Sequence, residues 1–187
     1  DFIFDTAEYD GIKKDLDDLL SEWINHDKPI TILDLGGIPF DTMDLAVGLI
    51  SRLSYETMFW GRFLDGIGRQ RPLLMVYEEA HSYLPKGGSN QFVQGYSSSA
   101  VRRICKEGRK YGIGALIISQ RPSDLDSSIL SQCGTFIALR LSSSDDQSII
   151  RSSIPDNSNG LADSLSSLRT GEAIVIGEAI KIPSRVL

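Results

Sequence analysis

The stretch Pro72-Leu73-Leu74-Met75-Val76-Tyr77-Glu78-Glu79-Ala80-His81 leaves little freedom about the architecture around it. An apolar run of that length following a proline predicts one buried strand of a parallel sheet, and it delivers two adjacent carboxylates at its C-terminal end. Chemistry in open parallel sheets collects at those ends. Paired acids there are what a nucleotide-hydrolysing site needs: one holds a magnesium ion, directly or through water, and the other orients or deprotonates the attacking water. The same pattern also suits a solvated strand end, so the stretch needs support from elsewhere in the chain.

Composition narrows the field. The chain has 187 residues, 41% hydrophobic and 24% charged, which fits one globular domain over residues 1–187. No apolar stretch approaches the roughly 20 residues of a membrane span, and no signal peptide opens the chain, so no membrane association is expected. Cys105 and Cys133 are too few and too far apart to suggest a disulfide framework or a zinc site, and a cytoplasmic setting is expected. With His26 and His81 alone, a multi-histidine metal centre is not expected. The net charge of −6 argues against a uniformly basic nucleic-acid binder, though not against a ring that meets DNA through a few pore loops. The start at Asp1 without methionine, directly followed by Phe2-Ile3-Phe4, reads as part of a longer polypeptide.

Residues 1–28 read as a lead-in strand and an amphipathic helix marked by Ile12, Leu16, Leu19, Leu20, Trp23 and Ile24. The motif-bearing core spans 29–187. Ile30 to Leu35 predicts a strand ended by Gly36-Gly37, with Asp34 suited either to a polar group behind the acids or to a cap of the turn. A long helix follows over about Thr42 to Phe63, capped by Asp41 or Thr42, with Leu45, Leu49, Leu53, Met58 and Phe59 on its apolar face. Gly87-Gly88-Ser89-Asn90, extended through Gly95 and Ser97-Ser98-Ser99, predicts a loop. A basic helix over about Ser99 to Tyr111 carries Arg102, Arg103, Lys106, Arg109 and Lys110. Strands are predicted over Ala115–Ser119 and Thr135–Leu141, and helices around 145–153 and 160–168. A closing hairpin pairs Glu172–Ile176 with Ala179–Ile182 about Gly177. The alternation of strand and helix implies an α/β fold with a mostly parallel sheet covered on both faces.

Asp34, Glu78–Glu79 and Gln120 fall at the tips of successive predicted strands. Beside the acids, Gln120 is placed to hydrogen-bond a γ-phosphate or the attacking water; it is equally suited to capping the Arg121-Pro122 turn. The basic helix is either a solvated face or, in a ring, a source of an arginine for the neighbour's nucleotide site, with Arg109 best placed. Arg102, Arg103 and Lys106 equally suit DNA phosphates. No Gly-x-x-x-x-Gly-Lys-Ser/Thr segment exists, so this chain by itself has nothing to cradle β- and γ-phosphates and is expected to be inactive alone.

Together these segments resemble the C-terminal half of the ATPase core of the HerA–FtsK family, closest to HerA-type DNA translocases. The matching residues are Ile32-Leu33-Asp34-Leu35-Gly36-Gly37-Ile38-Pro39-Phe40, Leu74 through Pro85 around Glu78-Glu79-Ala80-His81, Glu107-Gly108-Arg109-Lys110-Tyr111-Gly112, and Ser119-Gln120-Arg121-Pro122-Ser123-Asp124-Leu125. Leu130 to Thr135 and Leu168 to Ala173 complete the set. The resemblance implies a RecA-like three-layer αβα core with a short antiparallel β element at the C-terminal end. It implies ATP and Mg2+, with Glu78 and Glu79 as Walker B acids: Glu79 the catalytic carboxylate and Glu78 on the magnesium side, where many relatives have Asp. It further implies Gln120 as sensor and Arg109 acting on the neighbouring subunit. His81 belongs to the motif and is expected to make a structural hydrogen bond. The implied assembly is a hexameric ring that moves DNA with a partner nuclease or a defence effector, its phosphate loop upstream. A non-catalytic RecA-like scaffold is the rival reading. A conjugation-type or viral packaging ATPase shares the chemistry.

Overall fold

The computed structural model describes residues 16–24, 26–87, 95–152 and 163–187. Its elements in chain order are α1 (Leu16–Trp23), α2 (Phe40–Gly61), β1 (Leu73–Tyr77), α3 (Tyr96–Glu107), β2 (Ile113–Ile117), α4 (Ser127–Leu130), β3 (Thr135–Ala138), α5 (Ser144–Ser152), β4 (Ala173–Gly177) and β5 (Ser184–Val186). The chain is α/β, with β1 and β2 forming a parallel pair and β3, β4 and β5 a separate antiparallel sheet in that order.

In the parallel pair Leu73 lies opposite Ile113 and Tyr77 opposite Ile117. Alternation along both strands sends Leu73, Met75, Tyr77, Ile113 and Ala115 toward α2 and α3, where they join two core clusters with Val47, Tyr55, Met58, Val101 and Ile104. The other face turns Leu74 and Val76 outward at 60% and 51% exposure, with Leu116 and Ile118 beside them. Among the described residues, helices therefore cover one face of the pair.

Helix α2 begins at Phe40, earlier than Asp41 or Thr42 would set it as caps, because Pro39 (φ −56°) already fixes the entry. Its buried stripe also differs from the apolar pattern. Leu45 and Leu49 are exposed, while Asp44, Val47, Ser51, Ser54, Tyr55 and Met58 are buried. Close packing on α3 selects this small-residue face: a Cβ on Gly48 would lie 2.8 Å from the Tyr96 backbone. The stripe also satisfies α3's start. The Asp44 carboxylate accepts from the N–H groups of Gly95 (3.0 Å), Tyr96 (3.2 Å) and Ser97 (2.9 Å), and from the Ser97 hydroxyl (2.5 Å). With that cap available from α2, α3 starts at Tyr96, and Ser97–Ser99 are helical where a loop was predicted.

Three other expectations shift. Residues 30–35 belong to neither sheet among the described residues; a strand needs a ladder partner, and only Leu35 packs on the core. Strand β3 pairs antiparallel with β4 (Thr135 opposite Gly177). The partner of β4 in the closing hairpin is Ser184–Val186, with Ala179–Ile182 in the connection. The lead-in strand, the first turn of the lead-in helix, part of the Gly87–Asn90 loop and the start of the 160–168 helix lie outside the described residues; residues 164–167 form turns.

At the end of β1 the backbone makes a two-residue excursion. Ile118 N–H donates to Tyr77 C=O and Ala80 N–H donates to Ile118 C=O, both at 2.9 Å, so Glu78 and Glu79 must leave and rejoin the ladder within one step. Glu79 accomplishes this in the left-handed region (φ 48°, ψ 42°), the one non-glycine positive φ among the described residues.

Two outcomes follow for stability. Asp44→Ala strands several buried donors at the start of α3 and should cost about 2–3 kcal/mol in urea unfolding; an unchanged midpoint would show that the anchor is dispensable. Glu79→Gly should be more stable than Glu79→Ala by about 1 kcal/mol, since both lose the carboxylate but glycine alone escapes the left-handed penalty. Equal midpoints for the two variants would count against strain at this turn.

Candidate active site at the end of the parallel strands

The excursion carries both acids to the C-terminal edge of the β1–β2 pair, and Gln120, three residues past β2, meets one of them there. Gln120 Nε2 donates to Glu79 Oε1 at 2.5 Å. The other carboxylate oxygen, Oε2, lies 3.4 Å from His81 Nδ1. His81 Nδ1 is also 3.2 Å from Ser119 Oγ, which accepts the Arg121 N–H at 3.0 Å. Glu79 and Gln120 are exposed and His81 is half-buried, so the cluster opens to solvent.

Glu78 points elsewhere. Its carboxylate is exposed and has no hydrogen-bond or ion-pair partner among the described residues, which leaves both oxygens for a cation or its water shell. Its carbonyl accepts the Tyr83 hydroxyl at 2.6 Å. Burial, reinforced by the nearby charges of Glu78 and then Glu79, pushes the Tyr83 pKa up to about 12, so this donor keeps its proton at neutral pH. The Tyr83 carbonyl in turn lies against Ser97 Oγ and shares its single proton with Asp44. A continuous hydrogen-bonded path therefore ties the acid-bearing turn to the start of the basic helix.

Arg109 is not in this cluster. It lies in the 3-10 turn Gly108–Lys110, just before β2, and is therefore at the opposite edge of the parallel pair. Five strand residues separate the two edges, about 16 Å at ~3.3 Å per residue. Arg109 is exposed and makes no hydrogen bond or ion pair among the described residues.

The remaining cations of α3 divide. Arg102 donates to Asp126 Oδ2 (2.8 Å) and Ser128 Oγ (2.6 Å). Burial works to raise the Asp126 pKa, but hydrogen bonds from Ser128 and Arg102 outweigh it and hold that carboxyl below the usual range. Arg103 pairs with Glu56 (3.0 Å) and lies 4.3 Å over the Tyr55 ring. Lys106 is exposed, with no partner among the described residues. Asp34 Oδ1 accepts the Gly36 N–H at 2.9 Å, the turn-capping alternative for that residue.

Position at the strand tips was legible in advance; the link from His81 to Ser119 was not. His81 lies four residues past the end of β1 and Ser119 two past the end of β2, so no common spacing announced the contact.

Chemically, the cluster offers an exposed carboxylate bonded through Oε1 to an amide and lying through Oε2 near an imidazole, beside a second carboxylate with no partner among the described residues. Such an arrangement suits activation of a water beside a polyanionic, metal-bound substrate.

Residues 66–185 match the family described as helicase HerA-like, C-terminal. The chain is 36% identical over 155 residues to the DNA double-strand break repair helicase HerA of Sulfolobus acidocaldarius, covering 83% of this chain and 30% of that protein. It is 40% identical over 115 residues to HerA of Pyrococcus furiosus, covering 62% of this chain and 20% of that protein. The chain thus spans less than a third of the length of these relatives. Among solved structures, the genome packaging NTPase B204 of Sulfolobus turreted icosahedral virus 2 in complex with AMP shares the fold, with a TM-score of 0.54 at 14% identity, over 81% of this chain and 64% of that one. Its AMPPCP complex gives a TM-score of 0.53 at 13% identity, over 77% and 61%. With the matched segment extending over well more than half of its length, the chain belongs to the helicase HerA-like C-terminal family.

Proposed function

We propose that this chain is the C-terminal part of the motor core of an ATP-driven DNA translocase or helicase subunit that works as a ring, with six members as the expected number. The single observation carrying this reading is the 2.5 Å hydrogen bond from Gln120 to Glu79 at the shared C-terminal edge of two adjacent parallel strands. A solvated strand end has no requirement for that pairing. Family membership supports it.

In this mechanism Glu79 accepts a proton from the attacking water or orients it toward the γ-phosphate. The Glu78 carboxylate, unpartnered among the described residues, is the group that would hold Mg2+ through water, and the ion would supply positive charge against the phosphates. Gln120 senses the γ-phosphate, and its bond to Glu79 links that sensing to the carboxylate's orientation. The β- and γ-phosphates need a glycine-rich loop that this sequence does not contain, so the loop is supplied by another segment of the full-length polypeptide. Arg109, an edge away from its own acids, serves the nucleotide of the neighbouring subunit. Lys106 is the α3 cation most available to DNA phosphates; Arg102 and Arg103 would exchange carboxylate partners to join it. A nuclease in DNA-end processing, or an effector in antiviral defence, is the expected partner of such a motor.

Glu79→Gln in the full-length protein should reduce DNA-stimulated ATP hydrolysis by about 100-fold or more while nucleotide binding survives. Turnover at the wild-type rate would remove Glu79 from catalysis and favour a ring-forming scaffold. Mixing Arg109→Ala with Glu79→Gln subunits should recover activity, since some interfaces then combine an intact Glu79 with an intact Arg109. No recovery at any mixing ratio would show that Arg109 does not act across the interface.

A further inference from the structure

The Gln120 bond leaves one oxygen of Glu79 to be accounted for. A carboxylate on a left-handed turn, exposed and tied through Oε1 alone, would still swing about its terminal torsions. Oε2 is 3.4 Å from His81 Nδ1, and the imidazole is itself fixed by Ser119 Oγ at 3.2 Å. The chemistry of the pair selects the tautomer. A carboxylate only accepts, so a bare Nδ1 facing Oε2 would set lone pair against lone pair; the favourable arrangement has the proton on Nδ1. Ser119 Oγ accepts the Arg121 N–H and can accept from the same Nδ1–H, its own proton turned away. The separation of 3.4 Å is longer than a well-formed hydrogen bond, as catalytic contacts commonly are before substrate tightens them.

Resting on the proposed role of Glu79 as the water-activating carboxylate, we infer that His81 is a positioning residue: its Nδ1–H holds Glu79 Oε2 as the Gln120 amide holds Oε1, and Ser119 holds the ring. The carboxylate is thereby fixed from the β1 side and the β2 side at once. His81 does not touch the nucleotide and transfers no proton to it; it sets the direction in which Glu79 presents its lone pairs.

The test exploits reach. The asparagine amide nitrogen sits as many bonds from Cα as Nδ1 does, whereas the glutamine amide nitrogen reaches the Nε2 position. In the full-length protein, His81→Ala and His81→Gln should lower kcat for ATP about 10- to 100-fold with KM unchanged, and His81→Asn should retain most of the activity. In a Glu79→Gln background His81→Ala should lower the residual rate no further, because the group it positions is gone. Fluorescent-nucleotide binding and ring size check the fold. Should His81→Ala fail to assemble, Ser119→Ala takes its place and is expected to lower kcat at unchanged KM. Wild-type kcat in His81→Ala, or a His81→Asn variant as impaired as a folded His81→Ala, overturns the inference. An inactive Glu79→Gln beside a fully active His81→Ala overturns it alone; an active Glu79→Gln overturns the functional reading beneath it.

Discussion

Two backbone hydrogen bonds, both to Ile118, govern the rest of this site. One comes before the acids and one after, and together they allow the chain only Glu78 and Glu79 in which to leave β1 and return to β2. A gentle strand end would let these side chains trail into solvent along the strand axis. The enforced excursion projects them from the sheet edge in different directions, one meeting Gln120 and His81 and one left unpartnered. The left-handed backbone of Glu79 costs about 1–2 kcal/mol at a non-glycine residue. A glycine would relieve it and remove the carboxylate, so the strain and the chemistry belong to one position.

The turn is braced from behind by polar contacts in a region otherwise held by apolar packing. Ser51 Oγ lies 2.9 Å from Tyr77 Oη, Tyr83 Oη donates to the Glu78 carbonyl, and Ser97 joins the Tyr83 carbonyl to Asp44. These partners come from α2, β1, the turn after it and α3. A buried carboxylate and hydroxyls that satisfy one another fix relative positions more sharply than interchangeable methyl contacts do. Small residues at Gly48, Ser51 and Ser54 are what bring α2 near enough for the network to form.

What was legible in the sequence and what was not divides along the same line. The β1 strand and its acids announced themselves, because a proline, an apolar run and two glutamates need no tertiary information to interpret. Gln120 was legible by its place just past the next apolar run. The buried face of α2 was not: Leu45 and Leu49 signal burial, yet the close approach of α3 demands the small face and leaves both leucines exposed. Ile30 to Leu35 has a strand's composition, but pairing depends on a neighbour that no single segment encodes. Thr135 to Leu141 read as a strand with no partner specified. Its antiparallel pairing depends on a tight approach to Gly177, where a Cβ would lie 2.1 Å from the Gly134 carbonyl oxygen.

Opposite placement of Arg109 and Glu79 carries the strongest constraint on how such a subunit can work. Because β1 and β2 are parallel, a residue preceding β2 and one following β1 must fall at different edges, whatever their side chains do. An extended arginine side chain is shorter than the intervening strands, so no rotamer brings Arg109 to the acids of its own chain. The free cation at one edge and the acid cluster at the other are complementary surfaces of a single subunit. Contact between them requires a second copy related by rotation, and repeating that contact generates either a closed ring or an open helix. Catalytic competence placed on such a contact would make each nucleotide site depend on its neighbour's orientation. In the proposed ring, that dependence would couple hydrolysis at one interface to movement at the next.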